Sequence, residues 1–564
     1  MSTANSQQVL IVGAGPVGLS MAIELRRRGV DCRIIDADDG PTPMHESRAM
    51  GIQARTMEVF RGMGVADEVI GRGRKLVGAS AHNEGRRVAH LTFDFDGLDT
   101  RYPEVLSLPQ SATERILIAR LDALGGSVER RSKLVGFSQD AEGVRATLEV
   151  GGAPAAAARC GWLVGCDGSR SVVRKALGLS FEGGEYPERF LIADVRIAWG
   201  DLHPDDREIH FFLTPEGPIV SFPFPDPSRW RLVDTTGIVP GETQDAILSR
   251  FTQLIHDHVD ARAVLDDPSW TSSFVIHRRV VGKYRSGRCF VAGDAAHLHS
   301  PAGGQGMNTG IQDAVNLAWK LALVVQGKAP EGLLASYTPE RKAAVAGVLK
   351  GSDLATRLVT LRGELARHLR DKLMSALGEL DFVRKKLSRG MSELAISYHG
   401  SPIVAEDRRG AIHAALGGGP EDPGVRDALA FAAGPGPGDR APDVVMAEGR
   451  WLSDALDPTG HTLLAFAGTQ GAAIEHLDDA ASLVKSWYPG LIRTVLVARD
   501  AGTGSWQGDR LADPDGEVHR RYGASAECLY LIRPDGYIGY RSQPADASAL
   551  ARYLGSIFAP AAVT

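Results

Sequence analysis

The first thirty-six residues constrain the fold more than any other stretch. Val9 to Val12 is a short, wholly apolar run, and Gly13-Ala14-Gly15-Pro16-Val17-Gly18 follows at once. Such a run suits a strand buried on both faces of a parallel sheet. Leu19, Ala22, Ile23 and Leu25 then recur at helical spacing, Gly29 is placed to end the helix, and Val30 to Ile35 forms a second strand that stops at Asp36. The pattern predicts a βαβ unit in which a dinucleotide pyrophosphate rests on the helix N-terminus and Asp36 accepts hydrogen bonds from the adenosine ribose. The glycine spacing alone is a weak pointer in a chain with 65 glycines. A strand before it, a helix after it and an acid eighteen positions past Gly18 make it specific.

Two further motifs have the same build. Around Phe290 to Ala292 an apolar run ends at Gly293-Asp294, and Pro301, Gly303, Gly304, Gln305, Gly306, Met307 and Asn308 lead into a helix expected to begin near Asn308 or Thr309. Glycines let bare backbone N–H groups approach a ligand, and the helix start aims its positive dipole at an anion there. Ile311, Ala314, Val315, Ala318, Leu321 and Val325 fall on one helical face, so this clamp is anchored. The third motif runs from Trp162 to Val164 into Gly165-Cys166-Asp167-Gly168, with Ser171, Val172 and Arg174 starting a helix.

Composition excludes more than it assigns. A chain of 564 residues with 43% hydrophobic content has room for two to four domains with real cores. A net charge of -6 without a basic stripe argues against a nucleic-acid partner. No run of about 18 apolar residues occurs, and the opening MSTANSQQ lacks a basic segment followed by an apolar core. No membrane partner and a cytoplasmic location are therefore expected. Five cysteines without a CxxC pair predict neither a disulfide framework nor a metal site.

Taken together, the three glycine motifs resemble those of the FAD-dependent aromatic hydroxylases, in the branch of phenol hydroxylase and the polyketide-tailoring hydroxylases. The resemblance implies an α/β fold in four parts. A Rossmann-like FAD-binding domain would span 1–75, 106–178 and 275–350, and a mostly antiparallel β-sheet substrate domain would be interleaved at 76–105 and 179–274. A helical segment at 351–400 and a thioredoxin-like α/β domain at 415–564 would follow. It further implies that Gly13, Gly15, Pro16, Val17, Gly18, Asp36, Gly293, Asp294, Pro301, Gly304, Gly306, Met307 and Asn308 hold FAD. Asp167 and Gly168 would serve FAD and the nicotinamide cofactor. Arg48, in Ser47-Arg48-Ala49, would lie near the isoalloxazine, and Gln110 would touch the ribityl chain. NADPH or NADH would reduce the flavin, and with O2 the enzyme would hydroxylate a small phenol or a polycyclic aromatic polyketide. Oxygenation of a ring ketone, a flavin-dependent reductase and a redox-sensing FAD scaffold are the alternatives.

From Phe190 to Trp230 polar and apolar residues alternate, with turns at Thr214 to Gly217 and Pro225 to Pro227, as in antiparallel strands. His210, Phe212, Phe222 and Pro223 are candidate walls of the substrate pocket. Histidine would suit the activation of a phenol. His297 and His299 flank the clamp, the resemblance implying that His297 is a structural contact of the flavin loop, and His45, His210 and His277 are alternatives, so no catalytic base is assigned. Leucines at 354, 358, 361, 365, 369, 373, 377 and 380 make one long amphipathic helix or two, either packed on the FAD-binding domain or forming a homodimer seam. Glycine and proline at 416–420 and 434–442 mark a linker, beyond which Thr462 to Phe466, Thr494 to Ala498 and Cys528 to Ile532 read as strands. The turn Arg533-Pro534-Asp535-Gly536-Tyr537 leads into a further strand at Ile538 to Arg541. Only Cys528 lies in this part, so dithiol redox chemistry is not expected there.

Overall fold

In a computed structural model the described residues are 7–154, 157–238, 241, 243–299, 304–360, 389–408, 424–469, 474–500, 506 and 508–559. Pro301, Gly303 and the leucines from 361 onward lie outside them. Among the described residues the strands build three large sheets and one small one.

The first sheet has a parallel core in the order Cys289–Val291, Ala158–Gly165, Gln7–Val12, Cys32–Ile35 and Val128–Glu129. Val9, Leu10 and Ile11 are at most 1% exposed, because helices cover one face and further chain the other, and an all-apolar strand tolerates only that environment. Pro16–Arg27 is the crossover helix, with proline in its first turn and Gly29 at φ 71 just past its end. It packs on the long helix Gly306–Val325, which is buried almost all round. That helix begins two to three residues earlier than the sequence pattern suggests, because Gly306 and Met307 already have helical geometry.

The second sheet has eight strands, in the order His297–Leu298, Val264–Val281, Phe181–Ala198, Arg229–Asp234, Ile219–Pro223, Glu208–Leu213, Gly78–Asn83 and Arg86–Thr92. Every pair is antiparallel except Glu208–Leu213 with Gly78–Asn83. The helix Gln244–His258 covers one face through Ile247, Phe251, Leu254 and Ile255, packed on Ala193, Phe212, Trp230 and Leu232. The edge strand His297–Leu298 comes directly out of the Gly293-Asp294 motif, so the clamp and this sheet are one continuous piece of chain.

The third sheet has six strands in the order Ala405–Arg408, Ile538–Gln543, Cys528–Ile532, His461–Phe466, Ile492–Ala498 and Asp509–Ala512. Helices lie on both faces, with Glu475–Trp487 and Ala547–Ile557 on one side and a second cluster around Phe431 and Tyr522 on the other. This is the thioredoxin-like α/β unit. The strand Ala405–Arg408 joins it from ahead of the linker, because its backbone completes the edge beside Ile538–Gln543.

Candidate functional site

The three glycine motifs and Asp36 all emerge at the carboxyl ends of adjacent parallel strands, where open α/β sheets form their binding crevice. Backbone hydrogen bonds lace these ends together: Gly13 N–H to Ile35 at 2.8 Å, Cys166 N–H to Val12 at 2.8 Å and Ala292 N–H to Gly165 at 2.9 Å. The glycines then divide into two kinds. A Cβ on Gly13, whose φ is 100, would lie 2.4 Å from the Cys166 carbonyl oxygen, and one on Gly18 would lie 1.9 Å from that of Gly13. These two let the first motif close against the second and against its own helix. A Cβ on Gly15 would meet no protein atom within 4 Å. Gly15 caps the helix without any side-chain hydrogen bond, so no side chain occupies the helix start there. That combination of an uncapped helix start and a bare approach fits a pyrophosphate.

The clamp joins the same crevice. Cβ atoms on Gly293 and Gly310 would lie 2.8 and 2.7 Å from Val17 Cγ2, so the first and third motifs interlock through that valine. Gly304 has φ 65 and abuts Gly51. Asn308 is wholly buried, donates to the carbonyls of Gly51 and Gly304 at 2.8 Å and accepts from Gln53 N–H at 3.1 Å. Its side chain therefore staples the loop, with both amide hydrogens engaged by backbone carbonyls. Met307 is 8% exposed.

The acids do different work. Asp36 Oδ2 accepts from Ala14 N–H at 2.6 Å and Oδ1 from Asp38 N–H at 2.9 Å, at the crevice rim. Asp167 accepts from Ser171 Oγ and from the N–H groups of Val172 and Val173, capping a short helix beside Gly168. Its carboxylate is thus engaged by protein, and burial raises its pKa. Asp294 is exposed, yet the protein around it desolvates the carboxyl enough to raise its pKa.

Sequence reasoning missed Asp313, on the buried face of the clamp helix. Its Oδ2 accepts from Gly293 N–H and His297 Nε2, each at 2.8 Å, and its Oδ1 from Arg341 Nε at 2.5 Å. The fully buried Arg341 also donates to the Thr309 carbonyl at 3.1 Å and to the Tyr398 hydroxyl at 2.6 Å. The Arg341 charge, with His297, holds the Asp313 carboxyl below its usual range against the pull of burial. An acid among Ile311, Ala314 and Val315 was the available signal. His297 is held in this grip through Nε2, a structural contact. His299 lies beside Gly306, His45 is exposed, and His277 sits 3.5 Å from Glu185.

Arg48 has φ 47, a conformation that strains a residue with a side chain. Its carbonyl is gripped by Arg231, and Arg231 in turn pairs with Asp194, which accepts from Ser47. The second sheet thereby fixes the Ser47–Ala49 turn. The Arg48 guanidinium is half exposed and bonds Glu46 at 3.0 Å. Gln110 N–H donates to the carbonyls of Ser47 and Ala49, while its side chain donates to Glu114 at 2.9 Å.

The four candidate pocket residues separate. Cross-strand register puts Phe222 opposite Arg231, which is opposite Asp194, so Phe222 shares the face turned toward the cofactor crevice. Phe211 and Trp270 share it too. His210 and Phe212 alternate onto the other face, and Pro223 pairs with Trp230 there. They are corrected from pocket wall to core: Phe212 packs under the helix Gln244–His258, and His210 bonds His82 and the Asp205 carbonyl. Burial lowers the His210 pKa against the opposing pull of the Asp205 carbonyl and the Glu208 and Asp205 charges.

A family model described as FAD binding domain matches residues 6–352. The chain is 37% identical over 561 residues to 6-methylpretetramide 4-monooxygenase of Streptomyces rimosus, covering 98% of this chain and 94% of that one. It is 33% identical over 542 residues to pentachlorophenol 4-monooxygenase of Sphingobium chlorophenolicum, covering 95% and 93%. Its fold matches the aklavinone-11 hydroxylase in complex with FAD and aklavinone, with a TM-score of 0.74, 28% identity and coverage of 98% and 99%. The chain therefore belongs to the FAD binding domain family and is a flavoprotein.

Proposed function

We propose that the protein is a monooxygenase that uses NAD(P)H and O2 to hydroxylate a phenolic ring of a polycyclic aromatic compound. Identity spread over 561 residues to a 6-methylpretetramide monooxygenase carries the reading. FAD would supply hydride acceptance and oxygen activation, which side chains lack. The chain's own residues hold, orient and shield. Gly15 and the start of the helix Pro16–Arg27 receive the pyrophosphate, and Asp36 the ribose. Gly304, Gly306 and the uncapped start of the clamp helix direct N–H dipoles toward negative charge in the reduced state. Arg48, held in its left-handed turn by Arg231, stands at the junction of crevice and sheet. Phe211, Phe222 and Trp270 offer a half-buried aromatic surface against which a flat ring system can stack and from which water is displaced.

The test is stimulation of NADH and NADPH oxidation by hydroxylated polycycles, small phenols and cyclic ketones, with product mass. Polycycles should stimulate most and gain one oxygen atom in the product. A product without added oxygen, or equal turnover without O2, overturns the proposal.

A further inference from the structure

The turn Arg533-Pro534-Asp535-Gly536-Tyr537 of the thioredoxin-like unit is sunk into the FAD-binding part. Arg533 is 2% exposed and forms a two-pronged pair with Glu340 at 2.7 and 3.0 Å. Glu340, at 1% exposure, also accepts from Lys320 Nζ and Asn316 Nδ2 at 2.6 Å, both on the clamp helix. Asp535 bonds Arg533 and accepts from Trp319 Nε1 at 3.1 Å, again on that helix. A second contact runs in parallel. The Tyr537 ring lies 4.2 Å from that of Tyr398, centroid to centroid, and the Tyr398 hydroxyl accepts from Arg341.

Glu340 and Arg341 are neighbours on one helix, Tyr337–Thr360. Glu340 is held by the C-terminal turn, and Arg341 grips Asp313, which holds Gly293 and His297 of the clamp. Opposite charges balance along this seam, and balanced buried pairs add little net stability over well-packed apolar groups. They do demand one geometry. Breaking any partner leaves another charge stranded, so the arrangement fixes orientation across the domain boundary.

We propose that the C-terminal domain is a positioning element of the flavin site: its Arg533–Asp535 turn and Tyr537 set Glu340 and Arg341, and so the Asp313 grip on the clamp. This rests on the reading that the clamp loop holds FAD. It gives a role to a domain that carries no dithiol, its Cys528 being buried with the thiol pKa driven up.

The experiment measures FAD dissociation by flavin fluorescence, with circular-dichroism melts of the apo forms, on full-length Arg533→Met, Tyr398→Phe, Asp313→Asn and the paired variants. Arg533→Met and Tyr398→Phe should each weaken FAD binding about tenfold. Each should combine with Asp313→Asn less than multiplicatively, because both act through one grip. Tyr398→Phe removes one hydroxyl and keeps the ring on Tyr537, so it decides the matter if Arg533→Met fails to fold. Unchanged FAD affinity in a folded variant, or independent multiplication with Asp313→Asn, overturns the proposal. Gly304→Val tests the underlying reading separately: full FAD binding by that variant would refute the clamp assignment itself, whatever the seam variants do.

Discussion

Gly15 and Gly18 look alike in the sequence and do opposite things in the fold. A side chain on Gly18 has no room, since its Cβ would sit 1.9 Å from a backbone oxygen, so Gly18→Ala should destabilise the apo protein by about 2 kcal/mol or more. Gly15 has ordinary φ and open space. Gly15→Val should leave the apo melting temperature within a few degrees while abolishing flavin retention, read as the visible-to-protein absorbance ratio. A yellow Gly15→Val protein would remove Gly15 from the cofactor approach. Glu393 is a second residue whose task is local. It is 3% exposed at φ 56 and accepts from Gln312 and Thr309 at the base of the clamp helix. Burial pushes its carboxyl up to about 7, with those hydrogen bonds and the charges of Arg341 and Arg55 opposing. The folded state thus holds the proton more tightly than the unfolded state, whose value is near 4.5. The stabilisation is complete below that value and is lost as pH rises through about 7, a change of order 3 kcal/mol. Glu393→Gln should flatten the melting temperature between about pH 5 and about pH 8. An unchanged slope would show that Glu393 does not titrate there.

At the scale of elements, what could be read from the sequence depended on whether local pattern or long-range register decided the outcome. The βαβ unit was legible because burial on both faces leaves an all-apolar run, and the chain signals its turns with Gly13, Gly29 and Asp36. The second sheet was legible as strands, but alternation alone does not say which face meets a helix and which meets the crevice. Register settles that, through Phe222 opposite Arg231 and Asp194. Asp313 stands out locally as an acid on an apolar helix face, but its partner Arg341, like the pairing of Asp194 with Ser47, lies on a distant segment that no local pattern points to. Phe222 and Phe212 turn this into a test. Phe212 is 1% exposed in the core under the helix Gln244–His258, so Phe212→Ala should lower stability by about 3–5 kcal/mol. Phe222→Ala should instead melt nearly as the parent does while raising KM for the aromatic substrate several-fold. Equal loss of stability in both would put Phe222 in the core as well.

The whole molecule does not divide where its sequence suggests. Glycine and proline around 434–442 look like a hinge, and removing everything beyond it is the natural way to ask what the last domain does. The seam argues against a clean cut. Trp319 of the clamp helix is 1% exposed because it packs with Ala329 and Leu333 into the same apolar cluster as Leu463, Leu531 and Phe558, and its ring meets His461 edge-on at 5.2 Å. Deleting the chain after Pro402 would therefore strip an apolar surface on the very helix that begins at the clamp, and would take Arg533 away from Glu340. Exposed patches of that kind drive self-association. The truncated protein is expected to elute as a broad, high-mass species with well under the parent's flavin content, measured by gel filtration with absorbance at protein and flavin wavelengths. A monomeric truncation that keeps its flavin would mean that the clamp helix is held by the FAD-binding part alone. The buried pairs at the seam would then be a consequence of docking rather than a support for the site.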